Sequence, residues 1–109
     1  MISNWQKKLR QVFSEMQGGS RPVALSAPIL REIVNAPSSE ELARYAFELS
    51  TEGSIKVRYR VISPDTKNTV AEYGYFYDIP ARIYDENSDA YFNVQPSRDV
   101  EIVYTAQRG

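Results

Sequence analysis

Near the start of the chain Trp5, Leu9, Val12, Phe13 and Met16 recur at helical spacing, with Lys7, Lys8 and Arg10 elsewhere on the helix surface. The spacing predicts a helix over about 3–17, and Gly18 and Gly19 end it, as glycine does just past a helix C-terminus. Pro22 prevents the helix from continuing. Val23 and Leu25 alternate around Ala24, which reads as a short edge strand with proline at its start. The segment APILREIVN then places Ile29, Leu30 and Ile33 on one helical face. Ser26 serves as its cap, Pro28 suits the first turn, and Asn35, Ala36 and Pro37 break it. Ser38 opens a third helix. Glu41 follows three residues later, the pattern of a capping box in which each side chain satisfies the other residue's free backbone N–H. Leu42, Tyr45, Ala46 and Leu49 form its apolar stripe, and Gly53 is expected to terminate it.

The period then changes from helical to two. Ile55, Val57, Tyr59 and Val61 alternate with Lys56, Arg58 and Arg60, so all three cations stand on one face of a strand. Residues 63–68, SPDTKN, combine Pro, Asp and Asn between apolar runs and predict a turn. TVAEYGYFYDI is expected to be a second strand. Its regular alternation puts Tyr73, Tyr75 and Tyr77 on one face and roots Phe76 in the core on the other. Gly74 shares the face of Phe76, where it admits a neighbouring element or marks a bulge. IPARIYDENSD reads as an irregular turn or single helical turn, and AYFNV and DVEIVYT as two further strands joined by QPSR. The expected fold class is α+β: three N-terminal helices followed by a small antiparallel sheet of about four strands. At 109 residues a single domain over 1–109 is expected.

Composition narrows the function more than the fold. Hydrophobic content of 42% and charged content of 25% are those of an ordinary globular domain. No apolar run reaches membrane-span length and no signal peptide is visible, so no membrane association is expected. Cysteine is absent, which excludes disulfides and thiolate metal sites and suits a cytoplasmic protein. Histidine is absent too, removing the commonest general base and zinc ligand. Net charge is −1 but unevenly spread: residues 1–60 hold nine Lys/Arg and six Asp/Glu, and residues 61–109 hold four and eight. The first half therefore has a weak claim on anionic partners.

Over residues 3–77 the order helix, short strand, helix, turn, helix, strand, turn, strand resembles the winged-helix family, a helix-turn-helix with a β-hairpin wing. Ile29, Leu30, Ile33, Leu42, Tyr45, Ala46, Leu49, Gly53 and Ile55 carry the resemblance, and residues 78–109 would be a β-rich extension packed on it. The resemblance implies DNA binding with the third helix in the major groove. The chain departs from that implication, because the solvent face of its third helix should present Glu40, Glu41, Arg44, Glu48 and Glu52. A helix between two rows of phosphates should not carry four carboxylates and one arginine.

Two readings of the basic strand stay open. Lys56, Arg58 and Arg60, with Lys7, Lys8 and Arg10, are candidates for contacting phosphates without reading bases. On the wet face of a strand the same cations discourage edge-to-edge pairing, and the acidic third helix favours this second reading. Tyr73, Tyr75, Tyr77, Tyr84, Tyr91 and Tyr104, with Phe76 and Phe92, admit three readings: core, protein interface or a base-stacking platform, the last disfavoured by the acidic balance of the second half; Tyr73, Tyr75 and Tyr77 are more than one face of a small core must hide. Asp85, Asn87 and Asp89 begin like a calcium loop, but Ala90 and Pro96 stand where glycine and a bidentate Glu are needed, so a solvated turn is expected. No catalytic constellation, cofactor motif, metal cluster or small-molecule site is predicted. The leading expectation is a non-enzymatic adaptor or accessory subunit that binds a protein partner or itself through Tyr73, Tyr75, Tyr77, Glu40, Glu41, Arg44 and Glu48. A DNA-binding regulator is the alternative.

Overall fold

The computed structural model describes residues 2–50 and 55–107. The chain is α+β. Its elements run α1 (Asn4–Gly18), β1 (Ala24–Ser26), α2 (Ala27–Val34), α3 (Ser39–Ser50), β2 (Ile55–Ile62), β3 (Thr69–Tyr73), a 3-10 turn (Phe76–Asp78), β4 (Arg82–Asp85), β5 (Ala90–Asn93), α4 (Pro96–Asp99) and β6 (Val100–Ala106). Four strands form one sheet in the order β1-β6-β2-β3, and β4 and β5 form a separate antiparallel hairpin. Residue contacts divide the chain into a helical unit, Met1–Val57 with Val103–Gly109, and a second unit, Arg58–Ile102. Gly53, expected to end the third helix, and Glu52, expected on its acidic face, lie outside the described residues.

The helical unit is built as its periodicity dictates. Leu9, Val12, Phe13 and Met16 of α1 are buried with Leu42, Tyr45, Ala46 and Leu49 of α3 and with Ile55, Val103, Tyr104 and Ala106. Phe13 meets Tyr104 at a ring separation of 6.0 Å. At the start of α1 the Gln6 side-chain oxygen accepts a hydrogen bond from the Ser3 N–H at 2.9 Å. At its end Gly19 takes a left-handed conformation, φ 91°, which glycine adopts without steric cost. Asn35 closes α2 the same way, at φ 60°.

Three expectations for this unit need correction. Ser26 stands at the N-cap of α2, but its side chain makes no capping hydrogen bond. The buried residues of α2 are Leu30 and Val34, while Ile29 is 51% exposed. An eight-residue helix has room for one narrow buried stripe, and Leu30 and Val34, four apart, define it. The cap of α3 is one-sided. Ser38 Oγ accepts the Glu41 N–H at 3.1 Å as expected, but the Glu41 carboxylate takes its hydrogen bond from the Ser38 hydroxyl instead of its backbone N–H.

In the 58–102 unit, β2 and β3 pair antiparallel, with Arg60 opposite Glu72 and Tyr59 opposite Tyr73, and the register shifts between Val61 and Ile62. Val61 is the one fully buried apolar side chain among the described residues here; Ser63, Asp85 and Asp99 are buried as well. Segment 79–89, expected as an irregular turn, contains strand β4. Its pairing with β5 sets Ile83 opposite Phe92 on one face and Tyr84 opposite Tyr91 on the other.

Candidate functional site

The second expected strand stops at Tyr73, and the departure begins at Gly74. A Cβ on Gly74 would lie 3.3 Å from Nη1 of Arg58. The missing side chain leaves that guanidinium room beside Gly74, and its Nε–H donates to Glu72 at 3.1 Å. The chain then turns. The Asp78 N–H donates to the Tyr75 carbonyl at 3.1 Å and the Ile79 N–H to the Phe76 carbonyl at 3.2 Å, closing the 3-10 turn. Tyr73, Tyr75 and Tyr77 therefore do not share a strand face. Tyr73 is half-buried at the end of β3, whereas Tyr75 and Tyr77 are 59% and 79% exposed.

Phe76, expected to root the strand in the core, is 50% exposed. It still anchors the turn, because its ring meets Tyr59 of β2 edge-on at 5.7 Å and 72°. Tyr75 and Tyr77 stack on each other at 5.2 Å and 20°. The turn thus projects a paired tyrosine tip from a backbone fixed by two hydrogen bonds and one aromatic contact. An aromatic group held in this way loses little conformational freedom on binding. The β4–β5 hairpin exposes a second aromatic pair, Tyr84 and Tyr91, with ring centres 5.2 Å apart. The Arg82 guanidinium lies over the Tyr91 ring at 4.5 Å, and the Tyr84 hydroxyl donates to Asp89. That hydrogen bond raises the Tyr84 pKa above its ordinary value.

Residues 86–89 of the DENSD segment form an exposed turn, as expected, and only Asp85 departs from a solvated position. Asp85 is fully buried and ties two turns together. Thr66 Oγ1 donates to its Oδ2 at 3.0 Å, and the Asn87 N–H donates to Oδ1 at 2.9 Å. The buried Ser63 hydroxyl hydrogen-bonds the Asp85 carboxyl and holds it below the ordinary carboxylate range. Ser63 Oγ also accepts the Asp65 and Thr66 N–H groups, each at 3.2 Å. Asp99 is buried in the same manner, its carboxyl held low first by Arg98, which reaches it at 2.6 Å, and then by the Gln95 N–H at 2.9 Å. No group of three or more metal-ligating side chains is assembled among the described residues.

In the helical unit, Glu40, Glu41, Arg44 and Glu48 are all exposed on α3. Glu41, Arg44 and Glu48 border a cleft of about 310 Å³ whose apolar lining is Ile2, Trp5 and Tyr45. Trp5 and Tyr45 meet edge to face at 5.8 Å. Phe47, 65% exposed, shares the polar face of α3, since it follows Arg44 by three residues and Glu40 by seven.

The expected phosphate contacts fare unevenly. Arg10 is engaged: its Nε–H donates to the Tyr45 hydroxyl at 2.6 Å, and its guanidinium sits over that ring at 5.6 Å. Lys7 is exposed, Lys8 half-buried and Lys56 exposed. Arg58 and Arg60 are half-buried, one bonded to Glu72 and the other opposite it in register. The Glu72 carboxylate thus engages Arg58, and its residue is the cross-strand neighbour of Arg60. No helix among the described residues is long and apolar enough to cross a membrane. Compared with protein-family models, curated proteins and solved structures, the chain matches none.

Proposed function

We propose that this chain is a non-enzymatic, cytoplasmic protein-binding adaptor or accessory subunit on a winged-helix-like scaffold. The element order supports the scaffold reading: α1, β1, α2 and α3 precede the β2–β3 hairpin in the chain, the order in which a winged helix presents its helices and wing. One observation carries the binding reading. Tyr75, Phe76 and Tyr77 are consecutive, at least half exposed, and mounted on a hydrogen-bonded turn. Exposed aromatic groups of this kind, apolar in the ring and polar at the tip, are the residues on which interface energy concentrates.

A phosphate-binding role draws less support. Glu72 is bonded to Arg58 and faces Arg60, and Arg10 is held by Tyr45. The acidic face of α3 would meet a phosphate row with Glu40, Glu41 and Glu48 against Arg44.

The test pairs the parent protein with Tyr75→Ala. Sedimentation velocity over a concentration series reads self-association, and nuclease-treated affinity capture followed by titration of the purified partner reads hetero-association. The expected result is a nuclease-insensitive association that Tyr75→Ala weakens by about 2 kcal/mol or more, as at an interface hot spot, while the fold persists. Association unaffected by Tyr75→Ala, or binding that nuclease abolishes, would contradict the proposal.

A further inference from the structure

We infer that the Tyr75–Tyr77 stack receives an arginine side chain from a basic segment of a protein partner. This rests on the protein-binding reading above and adds the partner's chemistry. With Tyr75 stacked against one side and 79% of the residue exposed, Tyr77 offers its other ring face to solvent. That face carries the negative side of the ring quadrupole, which attracts a cation, and the planar guanidinium of arginine stacks on it as an ammonium does not.

The surroundings reinforce the sign. Asp78, next in sequence, is exposed and makes no ion pair among the described residues. Arg58, the cation that reaches the base of the turn, is already bonded to Glu72. The unit from 58 to 102 holds five Lys/Arg against eight Asp/Glu, so its field favours a basic partner. The same unit shows the geometry internally, with the Arg82 guanidinium 4.5 Å from the Tyr91 ring centre.

Other occupants fit less well. A nucleobase would stack equally on tyrosine, but its phosphates would meet the negative balance of the unit. A second copy docked tip to tip would bring two units of like charge together.

The experiment titrates the full chain with matched short blocked peptides carrying arginine, lysine or the uncharged isostere citrulline, and with a single-stranded DNA oligonucleotide. Binding is read from the ring resonances of Tyr75 and Tyr77. The arginine peptide is expected to shift both rings, lysine to bind more weakly and citrulline least, with affinity falling as salt rises. Tyr77→Ala should weaken arginine-peptide binding about fivefold, Tyr77→Phe should preserve it, and Asp78→Asn should reduce it by a smaller factor.

Equal binding of arginine and citrulline peptides, arginine binding unchanged in Tyr77→Ala, or displacement of the peptide from the tyrosine rings by the oligonucleotide would each overturn the proposal. Absence of arginine binding would also overturn it. If Tyr75→Ala still abolished association with the protein partner, that outcome would leave the protein-binding reading standing; if Tyr75→Ala changed no association either, both would fall.

Discussion

The helical unit and the 58–102 unit solve the same problem in opposite ways. The first buries Leu9, Val12, Met16, Leu30, Leu42 and Ala46 almost completely. The second buries Val61 with Ser63, Asp85 and Asp99, and leaves Tyr75, Phe76, Tyr77, Tyr84 and Tyr91 substantially exposed. One unit is held by apolar surface removed from water, the other by turns hydrogen-bonded to buried carboxyls. Tyr59, Tyr73 and Phe92 are half-buried, whereas Tyr75, Tyr77, Tyr84 and Tyr91 leave much of their ring surface in solvent, where another molecule can reach it.

The comparison breaks most sharply at Leu42. Its side chain is 1% exposed, and Leu42→Ala should cost about 2–5 kcal/mol in urea-induced unfolding. That is a large share of the marginal stability of a domain of this size. An unchanged unfolding midpoint would remove the apolar core from the account of this unit.

A smaller and more local effect is expected at Asp85. Asp85→Asn removes the charge that the Ser63 and Thr66 hydroxyls and the Asn87 N–H solvate. Amide exchange should rise first in the turns at 63–68 and 86–89, with the helices α1 and α3 unaffected. Acid should do the same to the parent. The Asp85 and Asp99 carboxyls are both lowered in the folded protein, so the stability they contribute is present above the ordinary Asp value and is lost as pH falls below it. Arg98, Lys67 and Asp65 share in that electrostatic balance. Exchange rising first in the helices under acid would contradict the division of labour.

Smaller still is Phe76→Ala. Losing its edge-on contact with Tyr59 should cost about 0.5–1.5 kcal/mol and expose the Asp78 and Ile79 amides to exchange. Protection of those amides in the variant would mean that the tip does not depend on this contact.

These contrasts explain what was legible in the residues. Helical spacing located α1, α2 and α3 and most of their buried faces, because a 3.6-residue stripe such as Leu42, Tyr45, Ala46 and Leu49 has few competing readings. Alternation located β2 and the start of β3. It failed after Tyr73, where Tyr and Phe have the same strand preference whether the backbone continues or turns; Gly74 was the available signal, and its close approach to Arg58 is a tertiary fact. Strand β4 was missed because RIYD is short and flanked by turn residues. The engagement of Arg58 by Glu72 and of Arg10 by Tyr45 depends on partners 14 and 35 residues away, which spacing along one element cannot reveal. The exposed Phe47 was missed, although its spacing from Glu40 and Arg44 places an aromatic ring on a charged face.

The central claim, that the tyrosine tip serves association and not stability, is tested most directly by equilibrium unfolding of Tyr77→Ala against the parent. The expected change is below about 2 kcal/mol, the sum of a near-neutral surface substitution and one lost exposed stacking contact. A loss of about 3 kcal/mol or more, the cost of emptying a core site, would show the ring to be part of the packed interior and contradict the claim.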